Sequence, residues 1–242
     1  MDTNDDYENE LSHQYITGDC KIPDNIDTLP KLSLPKHPFV APRRIDNRDQ
    51  CIPTGDQGQL PYCAAWTMRG YMGAIMWKRN DYPPTDINPS EIYSHAKRID
   101  GDPNGNGTTL TAVLDYALKN KIFDSNKCKI EVIWNVSNAR DCVKYAIHKY
   151  GCILSAFNIT TEWYTCNKQK TSITGNGSYR RNAGGHAVLA VGYDENGIYI
   201  QNSWGEQWSQ WGFGLITWEE FDRQFLYAAC LSNALDGLKL NT

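Results

Sequence analysis

The sequence predicts an α+β fold with a mainly helical first half, a strand-rich second half and a cleft between two lobes. Three observations carry that reading. Apolar residues recur at helical spacing over roughly residues 56–135. Beyond a helix ending near Tyr150 the pattern changes to short apolar, β-rich runs. Two of these, HAVLAVGY and GIYIQNSW, are joined by Asp194-Glu195-Asn196-Gly197, in which Asn-Gly is the strongest short hairpin signal.

Taken in order, residues 1–41 read as an extended arm. Prolines at 23, 30, 35 and 38 each remove a donor and bias the preceding residue away from helix. The scattered apolar residues of IDTLPKLSL allow this arm to dock on the body. A turn rich in glycine and proline (Gly55, Gly58, Pro61) then gives way to an amphipathic helical run, Ala64 to Trp77. Asn88 can cap, and Pro89 can open, a short helix to about Arg98. After the loop DGDPNGNGT, apolar residues at 110, 113, 114, 117 and 118 mark one face of a helix from Leu110 to Lys121. Ser137 is placed to cap a helix to about Tyr150, and Cys152–Ile159 reads as a strand. Residues 160–183 are polar, with Gly175, Asn176 and Gly177 marking a loop, and further strands are expected near Phe213–Thr217 and Tyr227–Leu231.

Composition narrows the function classes. Over 242 residues the net charge is −4, with 12% aromatic and 21% charged residues, which argues against wholesale disorder. No basic block points to nucleic acid and no polybasic face points to a membrane. The longest apolar stretches, such as His186–Tyr193, fall short of the roughly 18 residues of a spanning helix. The acidic start lacks the basic and apolar regions of a secretory signal, so a cytoplasmic or other non-secreted location is expected. Eight cysteines form no CxxC pair, which argues against a zinc cage. Asp100, Asp102, Asn104 and Gly105 imitate the first half of a calcium loop. The twelfth position is Thr111 rather than a bidentate glutamate, and Pro103 stiffens the turn. No metal and no cofactor is expected.

Cys63 stands where the turn meets the helix, and a helix N-terminus favours thiolate over thiol. The alternative at this point is a small buried core cysteine. A cysteine nucleophile needs a base, an orienter for that base and donors for an oxyanion. Of five histidines, His13 and His37 belong to the arm, while His95 and His148 fall among charged residues on helices and read as solvated. His186 follows Ala183-Gly184-Gly185 and opens an apolar strand, where small neighbours leave room for another chain. The hairpin brings Asn202 back beside it, where an amide oxygen can accept the ring N–H and Trp204 can shield the bond.

DQGQLPYC, GGHAVLAVGY and IQNSWGEQWSQWGFG, in that order, resemble the papain family of cysteine proteases, which includes the cathepsins. PRRIDNR, from Pro42, looks like the family's mature N-terminal segment, so the resemblance covers roughly residues 41–242. It implies a papain-like two-lobed fold, with a helical lobe at about 56–135 and an antiparallel, β-barrel-like lobe at about 136–242. It implies Cys63 as nucleophile, His186 as general base and acid, and Asn202 as orienter. Gln57 and the Cys63 backbone N–H would form the oxyanion hole. Tyr62, Asn106, Gly107, Gly185 and Trp204 would line the substrate path, and the partner would be a peptide or protein substrate. Cys63 and His186 are expected to rest as a thiolate–imidazolium pair, each charge favouring the other.

Departures from the family pattern are specific. Leu60 stands where a disulfide cysteine is usual, Pro61-Tyr62 replaces Gly-Ser, and Ala64 replaces tryptophan. The loop Asn104-Gly105-Asn106-Gly107 lacks cysteine. The chain thus resembles a divergent member without the usual disulfide cysteines. No long helical propeptide precedes Pro42, and the arm is expected to lie in or near the cleft as an inhibitor. A thiol-dependent acyl transferase or amidase, and a non-catalytic binding homologue, are the competing readings. The sequence sets no oligomeric state.

Overall fold

The computed structural model describes residues 15–78, 87–175 and 181–237. His13, the rest of residues 1–14 and the Asn176–Gly177 part of the expected loop lie outside them. In chain order the helices are α1 (Cys63–Lys78), α2 (Pro89–Lys97), α3 (Leu110–Lys119), α4 (Ala139–Tyr150), α5 (Trp218–Gln224) and α6 (Ala234–Gly237). The strands are β1 (Ile45–Asp46), β2 (Ile130–Ile133), β3 (Ile153–Thr160), β4 (Ser172–Ile173), β5 (Asn182–Tyr193), β6 (Gly197–Gln201), β7 (Phe213–Thr217) and β8 (Phe225–Leu231). This is the expected α+β fold. None of the described helices is long and apolar enough to cross a membrane.

All the strands join one sheet in the order β2-β8-β3-β5-β6-β7-β4, with β1 also paired to β5. The sheet stays open rather than closing as a barrel, and its β4–β7 pair is parallel. Strand β5 is apolar from Ala187 to Tyr193 because both its faces are covered there. Ala187, Leu189 and Val191 enter one core with α1 and α3, while Val188 and Ala190 enter the other with α4 and β3. The β5–β6 hairpin pairs Tyr193 with Ile198 and Leu189 with Gln201. Its turn is held by Asp194, whose Oδ1 accepts the Asn196 N–H at 2.8 Å.

Local chemistry explains the helix starts. Asn88 accepts the Ser90 N–H at 2.9 Å, and the Thr109 hydroxyl accepts the Ala112 N–H at 3.1 Å. Leu110, Val113, Leu114 and Ala117 of α3 are buried as their spacing predicts. Two expectations change. Helix α4 begins after Asn138, so Ser137 is not its cap. Helix α1 is buried almost all round rather than amphipathic, because it lies between β5 on one side and α2 and α3 on the other.

The stretch expected as a polar loop also departs from its composition. Glu162 is fully buried, accepting the Gly175 N–H at 2.8 Å and the Thr174 N–H at 3.1 Å. Trp163 is equally buried and donates from Nε1 to Gln224 Oε1 at 2.8 Å. A buried carboxylate stripped of water needs such donors, and here two backbone amides supply them.

The arm docks on the body in two sections. Residues 22–34 run past α3 and β2. Ile26 and Leu32 are buried, the Leu32 N–H donates to Val132 O at 2.8 Å, and the Val132 N–H donates to Pro30 O at 2.9 Å. Further on, Phe39 packs edge-on against Tyr145 of α4, and β1 joins the sheet. The preceding section, residues 15–21, crosses the site.

Candidate active site

Cys63 is the first residue of α1, as its place after the turn predicts. Its Sγ accepts the backbone N–H of Ala187 at 3.4 Å, so the sulfur lies against the His186–Ala187 peptide of β5. Gln57 comes from the turn before α1 and is buried. Its Oε1 takes the Ser203 hydroxyl at 2.7 Å, its backbone N–H donates to Ser203 O at 2.8 Å, and its Nε2 donates to Leu60 O at 2.9 Å. Both the amide orientation and the backbone of Gln57 are therefore fixed by Ser203, a residue the sequence reading passed over.

His186 Nε2 lies 2.7 Å from Asn202 Oδ1. The Ser203 backbone N–H donates to the same Oδ1 at 2.8 Å, which identifies that atom as the acceptor and places the imidazole proton on Nε2. The lone pair is then on Nδ1, which is buried without a hydrogen-bond partner among the described residues. Trp204 stacks on the imidazole with centroids 4.6 Å apart, and Trp163 meets it edge-on at 6.0 Å. The indole shield expected of Trp204 is in place. Trp163, hidden in the stretch read as polar, closes the other approach.

Burial sets the protonation states. Burial pushes the Cys63 thiol up to about 12, only partly offset by the backbone N–H groups of Ala187, Ala64 and Gly18 directed at the sulfur. Burial likewise lowers His186 to about 4, against a smaller opposing effect of Asn202. Burial thus favours the neutral form of both groups and works against the expected thiolate–imidazolium pair in this conformation. Gly18 of the segment 15–21 covers the Cys63 sulfur.

That segment fits the site closely. Gly18 lies on Cys63, where a Cβ would overlap Sγ. Gly107, with φ +69°, faces the Gly18 and Asp19 carbonyls, which a side chain there would strike. The Cys20 N–H donates to Gly185 O at 3.0 Å and the Lys21 N–H to Thr108 O at 3.1 Å, with Lys21 and Thr109 bridged in parallel. At the other end the Ile16 carbonyl accepts from Trp204 Nε1 at 3.0 Å and more weakly from Gln57 Nε2 at 3.4 Å. Tyr15 stacks on Trp204 with centroids 5.0 Å apart. Lys21 forms an ion pair with Asp102, and Lys97 Nζ lies 2.9 Å from Asp100 Oδ2 of the same loop.

The sequence of residues 57–222 matches the family model of the papain family cysteine proteases. The chain belongs to that family. Among solved structures, xylellain, a cysteine protease from Xylella fastidiosa, aligns over 88% of this chain and 96% of its own, at 18% identity and a TM-score of 0.68. Procathepsin B S9 from Trypanosoma congolense covers 91% of this chain and 87% of its own, at 13% identity and a TM-score of 0.70. A digestive procathepsin L2 from Tenebrio molitor covers 96% and 82%, at 15% identity and a TM-score of 0.69. At such identities these likenesses concern the fold. A search of curated proteins found no match.

Within this papain-family site the other expected residues are placed as follows. Gly107, Gly185 and Trp204 all touch the arm segment. Tyr62 is half-buried and stacks on Tyr93 at 4.0 Å, and Asn106 is exposed on the loop beside Gly107. Leu60 is exposed, and all eight cysteines are free thiols. His95 departs from the solvated reading, with Nε2 3.2 Å from Asp115 Oδ2. Tyr164, stacked on Trp204 at 5.5 Å, was not anticipated. Its neighbours Thr161, Glu162 and Thr165 gave that stretch a polar appearance.

Proposed function

We propose that the chain is a cysteine endopeptidase whose cleft is held shut by its own residues 15–21. The reading rests on one arrangement above all. His186 donates from Nε2 to Asn202, leaving Nδ1 unpaired, while the sulfur of Cys63 lies against the adjoining Ala187 N–H. In an open, hydrated cleft the proton of Cys63 passes to Nδ1 and gives the ion pair that the closed form suppresses. The thiolate attacks the peptide carbonyl carbon, and the C=O π electrons move to oxygen. That oxyanion is met by Gln57 Nε2 and the Cys63 backbone N–H. Collapse breaks the C–N bond as Nδ1–H protonates the leaving amine. Water, deprotonated by the now neutral His186, then hydrolyses the thioester and restores Cys63. A reducing, non-secreted compartment fits the eight free thiols.

The arm is suited to inhibit rather than to be cut. Gly18 offers an amide N–H to the sulfur instead of a carbonyl carbon. The segment pairs in parallel with Thr109 through Lys21. The procathepsins among the structural neighbours carry the proenzyme form in their names, which is in keeping with this role.

The experiment is a peptide-library cleavage profile of the full chain carrying Gly18→Phe, whose side chain cannot fit over Cys63. Internal cleavage is expected, with a loss of at least about 10⁴-fold when Cys63→Ala is added. A folded Gly18→Phe chain that cleaves no peptide, or cleavage that survives Cys63→Ala, would sink the reading.

A further inference from the structure

We infer that Cys20 of the arm and Cys63 form a reversible disulfide under peroxide, which locks residues 15–21 over the cleft. This rests on the reading of those residues as an inhibitor and adds how the inhibition is fastened and released. The two cysteines lie on one short stretch of β5. The Cys20 N–H donates to Gly185 O at 3.0 Å, and further along the strand the Ala187 N–H lies 3.4 Å from Cys63 Sγ. Gly18, just before Asp19 and Cys20, rests on that same sulfur. The chain turns at Asp19, with φ +47°, a left-handed conformation that aspartate tolerates better than most side chains. Cys20 is thereby set against β5 and buried, in the same apolar cluster as Cys63. The Tyr227 hydroxyl fixes the next peptide, donating to Lys21 O at 2.9 Å while it accepts the Leu110 N–H at 2.7 Å. Burial first, and the nearby Cys63 sulfur second, push the Cys20 thiol well above its ordinary value.

Cys20 is the one cysteine of residues 1–41, so it alone reaches the nucleophile on a segment that can leave. With the arm in place Cys63 is a covered thiol and a poor nucleophile toward peroxide. With the cleft open, its thiolate attacks one peroxide oxygen and the O–O bond breaks. Hydroxide departs, takes a proton from solvent, and leaves Cys63 as the sulfenic acid. When the arm returns, the Cys20 sulfur attacks the sulfenic sulfur and the S–O bond breaks. The Cys20 proton goes with the departing hydroxide as water. Each sulfur has then lost one electron, and the peroxide has been reduced to water. A small dithiol reverses the bond by exchange. The disulfide spares Cys63 the irreversible sulfinic state, and in a reducing compartment such bonds are transient sensors.

The test treats the full chain with a small molar excess of hydrogen peroxide, digests it without reductant and maps the peptides by mass. A linked pair carrying Cys20 and Cys63, lighter than the separate thiol peptides by two hydrogens, is expected. Alkylation of Cys63 by iodoacetamide should then slow at least about tenfold and return to the native rate after dithiothreitol. In Cys20→Ser the same treatment should drive Cys63 to the sulfinic acid, which dithiothreitol does not reverse. Oxidation that links Cys63 to another cysteine, or a Cys20→Ser chain that recovers its alkylation as fully as the native one, would overturn the inference. Should Cys20→Ser not fold, the map of the native chain decides alone, and absence of the Cys20–Cys63 link is the overturning result. The mass readout needs no substrate. A link found in a chain that cleaves no peptide as Gly18→Phe would overturn the peptidase reading and leave this disulfide standing, whereas cleavage without the link would overturn this inference alone.

Discussion

Residues 15–21 and residues 22–34 belong to the same arm but are held by different chemistry. The first section binds chiefly through its backbone. The Cys20 and Lys21 amides, the Ile16 carbonyl and the bare Gly18 engage groups that a substrate backbone would also use. The second section binds through burial, with Ile26 only 3% and Leu32 only 4% exposed, and through two backbone bonds flanking Val132. A peptide can compete with the first set of contacts, but nothing in a substrate imitates the second. The arm expected as one inhibitory piece over 1–41 therefore divides, among its described residues, into a section held by backbone at the site, to which the proposed inhibition belongs, and a section buried against the body.

Substitutions in the two sections should separate activity from stability. Leu32→Ala is expected to cost about 2–4 kcal/mol of folding stability, from lost burial and the cavity left behind. Chemical denaturation would measure it, with the peptidase rate of the folded fraction unchanged. A raised rate in that variant would erase the distinction. Gly18→Phe should do the reverse, raising the rate at least about tenfold because activity scales with the open fraction, at little cost in midpoint. A large drop in midpoint without a gain in rate would show that the first section, too, is part of the body.

Alkali offers a gentler way to probe the first section. In the open cleft the Cys63 proton sits on His186, so open and closed forms hold the same number of protons near pH 7. As pH rises and the open-cleft imidazolium gives up that proton, the closed form keeps its own on Cys63 until about pH 12, so closure weakens on the alkaline side. Hydrogen-exchange protection of the Cys20 and Lys21 amides should fall there by up to about tenfold per pH unit. Protection as strong at about pH 10 as at pH 7.5 would refute the burial account of Cys63. The Leu32 amide, in the second section, should show no such dependence.

Much of the molecule was legible in the sequence because its signals are local. A cap needs its side chain within a few residues, and Asn88 declares itself that way. The hairpin between β5 and β6 turned a separation of 16 residues into a 2.7 Å contact between His186 and Asn202. The course of residues 15–21 was hidden because backbone groups make most of its contacts, and every sequence has those. Protonation states were hidden for a related reason. The thiolate expected at a helix N-terminus assumes access to water, and the sulfur is covered by Gly18, more than forty residues upstream in the chain. Trp163 and Tyr164 were masked by polar neighbours, and Ser203 by standing next to the more conspicuous Asn202.

The pairing of Leu32 with Val132 has one more consequence. Strand β2 is the outermost member of the sheet on the β8 side, and an uncovered outer strand is a template for another chain. Pro30 and Leu32 use the Val132 amide and carbonyl that would otherwise face solvent, and Pro30 and Pro35 limit any continuation of the ladder. Loss of residues up to about 21 would keep that flank sealed, whereas loss of residues past Leu34 would bare the Val132 amide and carbonyl and offer the outer strand to a second chain.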